Sequence, residues 1–129
     1  MSSVNTLLAV KDLMNPDIVK ATMGCGVVEA ARMIADHKVS SVVIVDSDGR
    51  IVGIVTEKDI VSKVVAEARD PRSLSVEDIM GSDIHHIPGG SSIFEARAKM
   101  VKLGIKHLIV ETNGKPVGLI SSTSLLGGS

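Results

Sequence analysis

The chain has 129 residues, which is enough for one domain with a real core or for two small units that pack together. Hydrophobic residues make up 44% of it, but with one Phe and no Trp or Tyr the chain offers nucleic-acid bases almost no aromatic partner. The formal net charge is −1 and no Lys/Arg block occurs, so the composition argues against binding to DNA or RNA.

The number of cysteines and the lengths of the apolar runs predict the cellular compartment. Cys25 is the only cysteine, so it can neither form an internal disulfide nor complete a cysteine pair for zinc. The start of the chain lacks a basic segment followed by an apolar run, and no stretch reaches about 18 uninterrupted apolar residues. We therefore expect a cytoplasmic protein with no membrane contact and no metal site.

Taken in order, the chain begins with an arm over residues 1–9, followed by alternating extended and helical patterns. An extended piece at 17–21 precedes apolar residues at helical spacing from Val27 to Ala35. Two β-rich runs, 42–45 and 51–55, enclose a turn with a glycine and predict a hairpin. An amphipathic helix is then predicted from Glu57 to about Ala68, and its expected apolar side carries Ile60, Val61, Val64 and Val65.

The pattern then repeats. Val10–Met14 matches Val76–Met80 at an offset of 66 (76 minus 10), and the same offset relates the first helical segment to a second one. Ser92 and Glu95 predict a capping box at the start of this second helix, and Phe94, Met100 and Val101 are among the residues at helical spacing in it. A second hairpin is predicted from runs 107–111 and 117–120. The sequence thus predicts an α/β (α+β) fold of two β-α-β-β-α repeats, packed face to face with pseudo-two-fold symmetry. The predicted boundaries are 1–9 for the arm, 10–68 for the first repeat, 69–74 for the linker and 75–129 for the second repeat.

The stretch from Gly53 to Asp59 is the strongest candidate for a functional site. An apolar strand runs here into a polar turn that opens a helix, with Thr56 and Asp59 in the pattern [ST]-x-x-[DE]. A helix start suits a phosphate, and a hydroxyl beside a carboxylate suits the two hydroxyls of a ribose. The alternative is that the two side chains form only a capping box.

These motifs carry a family resemblance that covers nearly the whole chain. The segments 12–14, 78–80, 43–59 and 104–110 resemble the tandem CBS domain, a pair named after cystathionine beta-synthase and also called a Bateman module. The resemblance implies a non-catalytic regulatory or sensor module without a required cofactor. It also implies a homodimer that binds AMP, ADP, ATP, S-adenosylmethionine or NAD in clefts between the repeats.

The resemblance further implies roles for individual residues. In the main site Thr56 would meet the phosphate or ribose and Asp59 the ribose hydroxyls, and both stand in the turn described above. The adenine would face side chains from the partner repeat, and the phosphate would meet basic side chains at a strand entry. The remaining residues of this main site are Ile84, His85, Ile105, Lys106 and His107.

A second, weaker site is expected because the second repeat departs from the family's pattern. Ser124 stands where the family's aspartate is expected, and a serine cannot accept both hydroxyls of a diol as a carboxylate can. The residues expected to line this weaker site are Ile18, Val19, Val39, Ser40, Ser121 and Ser124.

A second class of function stays open at this point. The chain can be a ligand-independent module that dimerises and docks to an enzyme or transporter, with the Thr56 motif serving only as a cap. His85 and His107 can likewise be exposed polar residues and not ligand-facing ones. An enzyme is disfavoured, because no G-x-S-x-G nucleophile motif occurs.

Overall fold

The computed structural model describes residues 8–125, so most of the predicted arm and the last four residues lie outside the described part. The helices are α1 (Val10–Leu13), α2 (Val27–His37), α3 (Glu57–Ile60), α4 (Ile93–Leu103) and α5 (Ser122–Leu125). The strands are β1 (Lys20–Thr22), β2 (Ser41–Val45), β3 (Ile51–Thr56), β4 (His86–Pro88), β5 (His107–Thr112) and β6 (Lys115–Ser121). A π-helical turn at Val61–Val65 continues α3, and 3-10 turns lie at Pro71–Ser73 and Val76–Asp78.

The strands form two three-stranded sheets, in the orders β1-β2-β3 and β4-β5-β6. In each sheet the first strand runs parallel to the second, and the second pairs antiparallel with the third. A helix connects each parallel pair and a tight turn connects each antiparallel pair, as expected for those geometries. The predicted α/β class and the β-α-β-β-α element order of each repeat are therefore confirmed.

The chain divides into two compact units whose limits differ from those of the sequence repeats. We call residues 19–84 the first-repeat unit, and residues 8–18 together with 85–125 the second-repeat unit. Each unit has a buried aliphatic cluster of its own. The segment at the start of each sequence repeat therefore belongs to the compact unit built mainly from the other repeat.

Backbone hydrogen bonds hold these segments in place. In the first-repeat unit, Val76 N–H donates to Cys25 O at 2.8 Å, and Ile54 and Gly81 exchange two bonds of 2.9 Å. In the second-repeat unit, Asn15 and Leu119 exchange bonds of 2.8 and 3.0 Å. The segments thus complete the hydrogen bonding of β3 and β6, which explains why they pack where they do.

A methionine covers a glycine in each unit. A Cβ placed on Gly53 would lie 2.8 Å from Met80 Cγ, and one on Gly118 would lie 2.9 Å from Met14 Cγ. Such distances are far inside normal contact, so these strand positions need glycine for the close approach of the side chain. The methionine and the glycine thus recur together in the sequence because each methionine side chain packs directly on a glycine.

The predicted amphipathic helix after β3 is shorter than expected, and its apolar side is partly wrong. Val64 is buried and Ile60 is half-buried, but Val61 and Val65 are 60% and 69% exposed. Residues four apart share a face, so Ile60 and Val64 turn toward the core while the next pair turns outward. The helical segment ends at Val65 and not near Ala68, where the backbone is left-handed with φ 53°.

The start of α4 confirms the predicted capping box. Ser92 N–H donates to Glu95 Oε1 at 3.1 Å, and Glu95 N–H donates to Ser92 Oγ at 3.0 Å. Phe94 and Val101, which the helical spacing had placed with the apolar residues, are 58% and 77% exposed. Met100 is buried, so the core-facing side of α4 is narrower than the sequence pattern predicts.

Candidate functional site

The side chains of Thr56 and Asp59 bond to each other where β3 passes into α3. Thr56 donates to Asp59 Oδ2 twice, from its backbone N–H at 2.9 Å and from its hydroxyl at 3.0 Å. Asp59 N–H donates to Thr56 Oγ1 at 3.2 Å. The arrangement forms because Thr56 is extended, with φ −110° and ψ 165°, as an N-cap residue should be. The capping box that the sequence suggested is therefore present.

A lysine that the sequence analysis did not single out completes this cluster. Lys63 Nζ lies 3.1 Å from Asp59 Oδ1 and donates to Ile79 O at 2.8 Å. The side chain of Asp59 is 18% exposed and that of Lys63 is 45% exposed, so solvent partly screens the pair. The spacing of four residues between the acid and the base is a signal that could have revealed the pair from the sequence.

The entry of β2 lies beside the same turn. Glu57 N–H donates to Ser40 O at 3.0 Å, and Ser41 stands opposite Thr56 in the β2–β3 pairing. Ser40 was assigned to the weaker site and Thr56 to the main site, yet the structure brings them together in one unit. The pairing of β2 with β3 fixes this arrangement, because the start of one strand meets the end of the other in an antiparallel hairpin.

The second-repeat unit has the equivalent arrangement without a carboxylate. Ser124 N–H donates to Ser121 Oγ at 3.2 Å, and the two hydroxyl oxygens lie 3.1 Å apart. Ser122 N–H donates to Lys106 O at 2.9 Å, and His107 stands opposite Ser121. This unit thus brings Lys106 and His107, assigned to the main site, beside Ser121 and Ser124, assigned to the weaker site.

The remaining predicted site residues are five apolar side chains and one histidine. In the first-repeat unit, Val39 packs against the core, while Val19, whose carbonyl accepts Val43 N–H at 2.8 Å, and Ile84 are half-buried. In the second-repeat unit, Ile105 packs against the core, His85 O accepts Ile109 N–H at 2.9 Å, and Ile18 is half-buried. The grouping of these residues into two clefts stays a prediction.

The thiol of Cys25 has a shifted pKa. Burial raises the pKa of its thiol above the usual 9.0, and the charge of Glu29, a hydrogen bond to Glu29 and the charge of Glu77 act in the same direction. A thiol held protonated is a poor nucleophile, because the thiolate is the reactive form. The raised pKa therefore argues against a nucleophilic role for Cys25, which lies just before the N-cap of α2.

Metal-binding clusters and membrane-spanning helices are both absent from residues 8–125. Within that range no group of three or more His, Cys, Asp or Glu side chains is arranged to hold a metal ion. None of the helices described there is long and apolar enough to cross a membrane.

The chain belongs to the CBS-domain family. The family's model matches it twice, at residues 10–66 and 76–128, so it contains two CBS domains. Proteins of this family are regulatory modules, which agrees with the capped turn and with the pair of similar sheets. The resemblance stated from the sequence is therefore confirmed.

Relatives of the chain are mostly uncharacterised or are described by the domain alone. An uncharacterised protein of Methanopyrus kandleri is 32% identical over 120 residues, covering 92% of this chain and 61% of the relative. An uncharacterised protein of Acidianus ambivalens is 37% identical over 100 residues, covering 77% of this chain and 59% of the relative. This chain thus spans about three fifths of the length of those two proteins.

Solved structures confirm the fold. A CBS-domain protein of Agrobacterium tumefaciens has a TM-score of 0.83 at 28% identity, with 98% of this chain and 97% of that chain covered. A putative signal-transduction protein with CBS domains from Burkholderia ambifaria has a TM-score of 0.82 at 30% identity, with 92% and 91% covered. A hexameric CBS-CP12 protein from cyanobacteria has a TM-score of 0.84 at 23% identity, with 93% and 67% covered, and shows the fold alone.

Proposed function

We propose that this protein is a non-catalytic sensor that binds an adenosine-containing ligand. The single observation that carries the proposal is the Asp59 carboxylate, held beside the Thr56 hydroxyl and the Lys63 ammonium at the end of β3. A carboxylate has about four acceptor positions on its two oxygens. The hydrogen bonds from Thr56 and Lys63 occupy three of them, so one acceptor position on Oδ1 is left for a ligand hydroxyl.

The candidate ligands are AMP, ADP, ATP, S-adenosylmethionine and NAD, which share an adenosine. Their ribose hydroxyls are donors and suit the Asp59 carboxylate. The assignment of Lys106 and His107 to a phosphate stays a prediction from the family resemblance. Binding that favours one arrangement of the protein over another would shift the population between the two, and this shift is the signal that a sensor transmits.

A second candidate is a ligand-independent module that associates through apolar surface. Val61, Val65, Phe94 and Val101 are large apolar side chains that stay exposed, and such residues favour protein contacts when they cluster. The cyanobacterial CBS-CP12 neighbours are hexamers, so proteins that contain this fold can self-associate. A homodimer, or docking to a regulated enzyme or transporter, would follow from this candidate.

Calorimetric titration separates the two candidates. The purified protein is titrated with AMP, ADP, ATP, S-adenosylmethionine and NAD, beside Asp59→Ala and the matched control Asp36→Ala, which removes an exposed carboxylate on α2. A sensor gives saturable binding that Asp59→Ala weakens at least about tenfold, the loss expected for one charged hydrogen bond. Asp36→Ala should leave that binding in place. Absence of binding to all five ligands would favour the association module.

A further inference from the structure

We propose that Lys63 is a positioning residue of the candidate site, which holds the Asp59 carboxylate in the orientation that accepts ribose hydroxyls. The inference rests on the proposed function. Lys63 Nζ reaches two groups from different parts of the first-repeat unit, Asp59 Oδ1 at 3.1 Å and Ile79 O at 2.8 Å. It therefore ties the carboxylate to the segment that runs beside β3.

The Ile79 carbonyl that accepts the hydrogen bond from Lys63 is held in place by the surrounding structure. Ile79 is 1% exposed, and its own N–H donates to Val76 O at 3.1 Å. Two residues further on, Gly81 exchanges two hydrogen bonds of 2.9 Å with Ile54 in β3. A lysine that bonds to such a rigid carbonyl loses much of its side-chain freedom, so its ammonium has a defined place beside Asp59.

The two oxygens of Asp59 have different partners, and this is why the lysine matters. Oδ2 receives both hydrogen bonds from Thr56, whereas Lys63 is the one partner of Oδ1 within residues 8–125. The terminal torsion of an aspartate is broad, so the cap by itself leaves the position of Oδ1 loosely defined. With Lys63 in place, Oδ1 is fixed and keeps one acceptor position for a ligand hydroxyl.

The ion pair by itself contributes little to stability. A lysine that is 45% exposed gains little from an ion pair, because solvent screens the charges. The two repeats differ at both positions of the pair. Where the second repeat replaces the aspartate with Ser124, the position equivalent to Lys63 is Gly128 (63 plus the local offset of 65), which has no side chain. The first repeat therefore has both the carboxylate and the lysine, and the second repeat has neither.

Two probes test the proposal, AMP and 2′,3′-dideoxy-AMP, which carry the same phosphate and base and differ only in the ribose hydroxyls. The ratio of their dissociation constants measures how strongly the site prefers a ligand that carries the ribose hydroxyls. Lys63→Met should lower the AMP affinity about tenfold and the dideoxy-AMP affinity less than about twofold, since a charged hydrogen bond is worth about one to two orders of magnitude. Lys63→Arg should restore most of the ratio.

The controls distinguish this role from others. Lys20→Met, an exposed lysine on β1, should change neither affinity, and thermal unfolding recorded in parallel establishes that each variant is folded. An equal loss for both probes in Lys63→Met would mean that the lysine contacts the phosphate or supports the fold, and would overturn the proposal. No loss for either probe would overturn it too.

The failure of this inference differs from the failure of the proposed function. If the wild-type protein binds AMP and Asp59→Ala loses that binding while Lys63→Met keeps the ribose preference, only the role of Lys63 is wrong. If the wild-type protein binds none of the adenosine-containing ligands, the proposed function and the inference both fall.

Discussion

The turn from β3 into α3 and the turn from β6 into α5 are the same local structure with different chemistry. In both, the first residue is a hydroxyl side chain that accepts the N–H three residues later, at 3.2 Å in each case. Asp59 adds a carboxylate that takes two further bonds from Thr56, whereas Ser124 adds only a hydroxyl. The cap hydrogen bond therefore forms without the carboxylate, and Asp59 and Lys63 add charged groups that the second-repeat turn lacks.

The starts of the two long helices also differ, but here the second-repeat unit has the more complete cap. The N-cap of α4 is Ser92, which forms a reciprocal capping box with Glu95. The N-cap of α2 is Gly26, which has no side-chain cap, although Glu29 stands at the position where a capping box needs it. The first-repeat unit therefore has the cap with a carboxylate at Thr56 and Asp59, and the second-repeat unit has the capping box at Ser92 and Glu95. The corresponding turn of the other unit lacks the full cap in each case, so it can serve as a control.

The largest effect on stability is expected from adding a Cβ at Gly118 or Gly53, the two glycines that a methionine covers. Gly118→Ala should lower the free energy of unfolding by about 2–3 kcal/mol, because overpacking at a tight contact forces shifts of its neighbours. The new Cβ would lie 2.9 Å from Asn15 O, a backbone atom that cannot move aside easily. Gly53→Ala should cost less, since the nearest backbone atom there, Gly81 O, is 3.2 Å away. Urea unfolding of the two variants gives the comparison, and an equal or reversed order would contradict it.

The next effect concerns the two capped turns. Asp59→Ala should lower the free energy of unfolding by about 1 kcal/mol, the usual cost of a lost cap interaction. Ser124→Ala should cost a few tenths of that, on the order of 0.3 kcal/mol, because Ser121 keeps the cap hydrogen bond to the backbone. Chemical denaturation measures both. If the two losses prove equal, the carboxylate adds nothing to the local structure beyond what a hydroxyl supplies.

A smaller effect of opposite sign is expected at the start of α2. Gly26→Ser should raise the free energy of unfolding by about 0.5 kcal/mol, because the serine can form the capping box with Glu29 that Ser92 already forms with Glu95. The position accepts a side chain, since φ is −73° and the nearest atom to an added Cβ is Leu74 O at 4.0 Å. Thermal unfolding checks this, and a destabilised variant would show that the glycine is needed for a reason other than space.

The smallest effect is the pH dependence contributed by Cys25. Burial raises the pKa of this thiol in the folded protein above 9.0, with Glu29 adding to the shift, so the unfolded chain releases the proton first. The contribution to stability is then fully present below the unfolded pKa and is lost as the pH rises through the folded pKa. Urea unfolding at pH 7 and pH 10 should show a larger fall for the wild-type protein than for Cys25→Ser. A fall of the same size in both proteins would mean that other groups cause it.

Much of the architecture could be predicted from the sequence because its causes are local. The hairpins follow from β-rich runs around a turn, and in the second hairpin Asn113 and Gly114 take the positive φ values, 54° and 77°, that such turns favour. The capping boxes at Thr56 and Ser92 follow from residue types three positions apart. The candidate site was predicted only in part. The spacing of Asp59 and Lys63 is local, but the hydrogen bond from Lys63 to Ile79 O joins residues sixteen apart and has no local sequence signal.

By itself, the sequence determined the duplication, the order of helices and strands, and the presence of one turn with a carboxylate and one without. These properties depend on residue types and spacings within a few turns of the backbone. Only the tertiary structure decided that each repeat's opening segment packs into the other compact unit, that Val61 and Val65 stay exposed, and that Ser40 lies beside Thr56. Those outcomes depend on which distant segments supply the missing hydrogen bonds and apolar contacts, and short-range sequence patterns contain no such information.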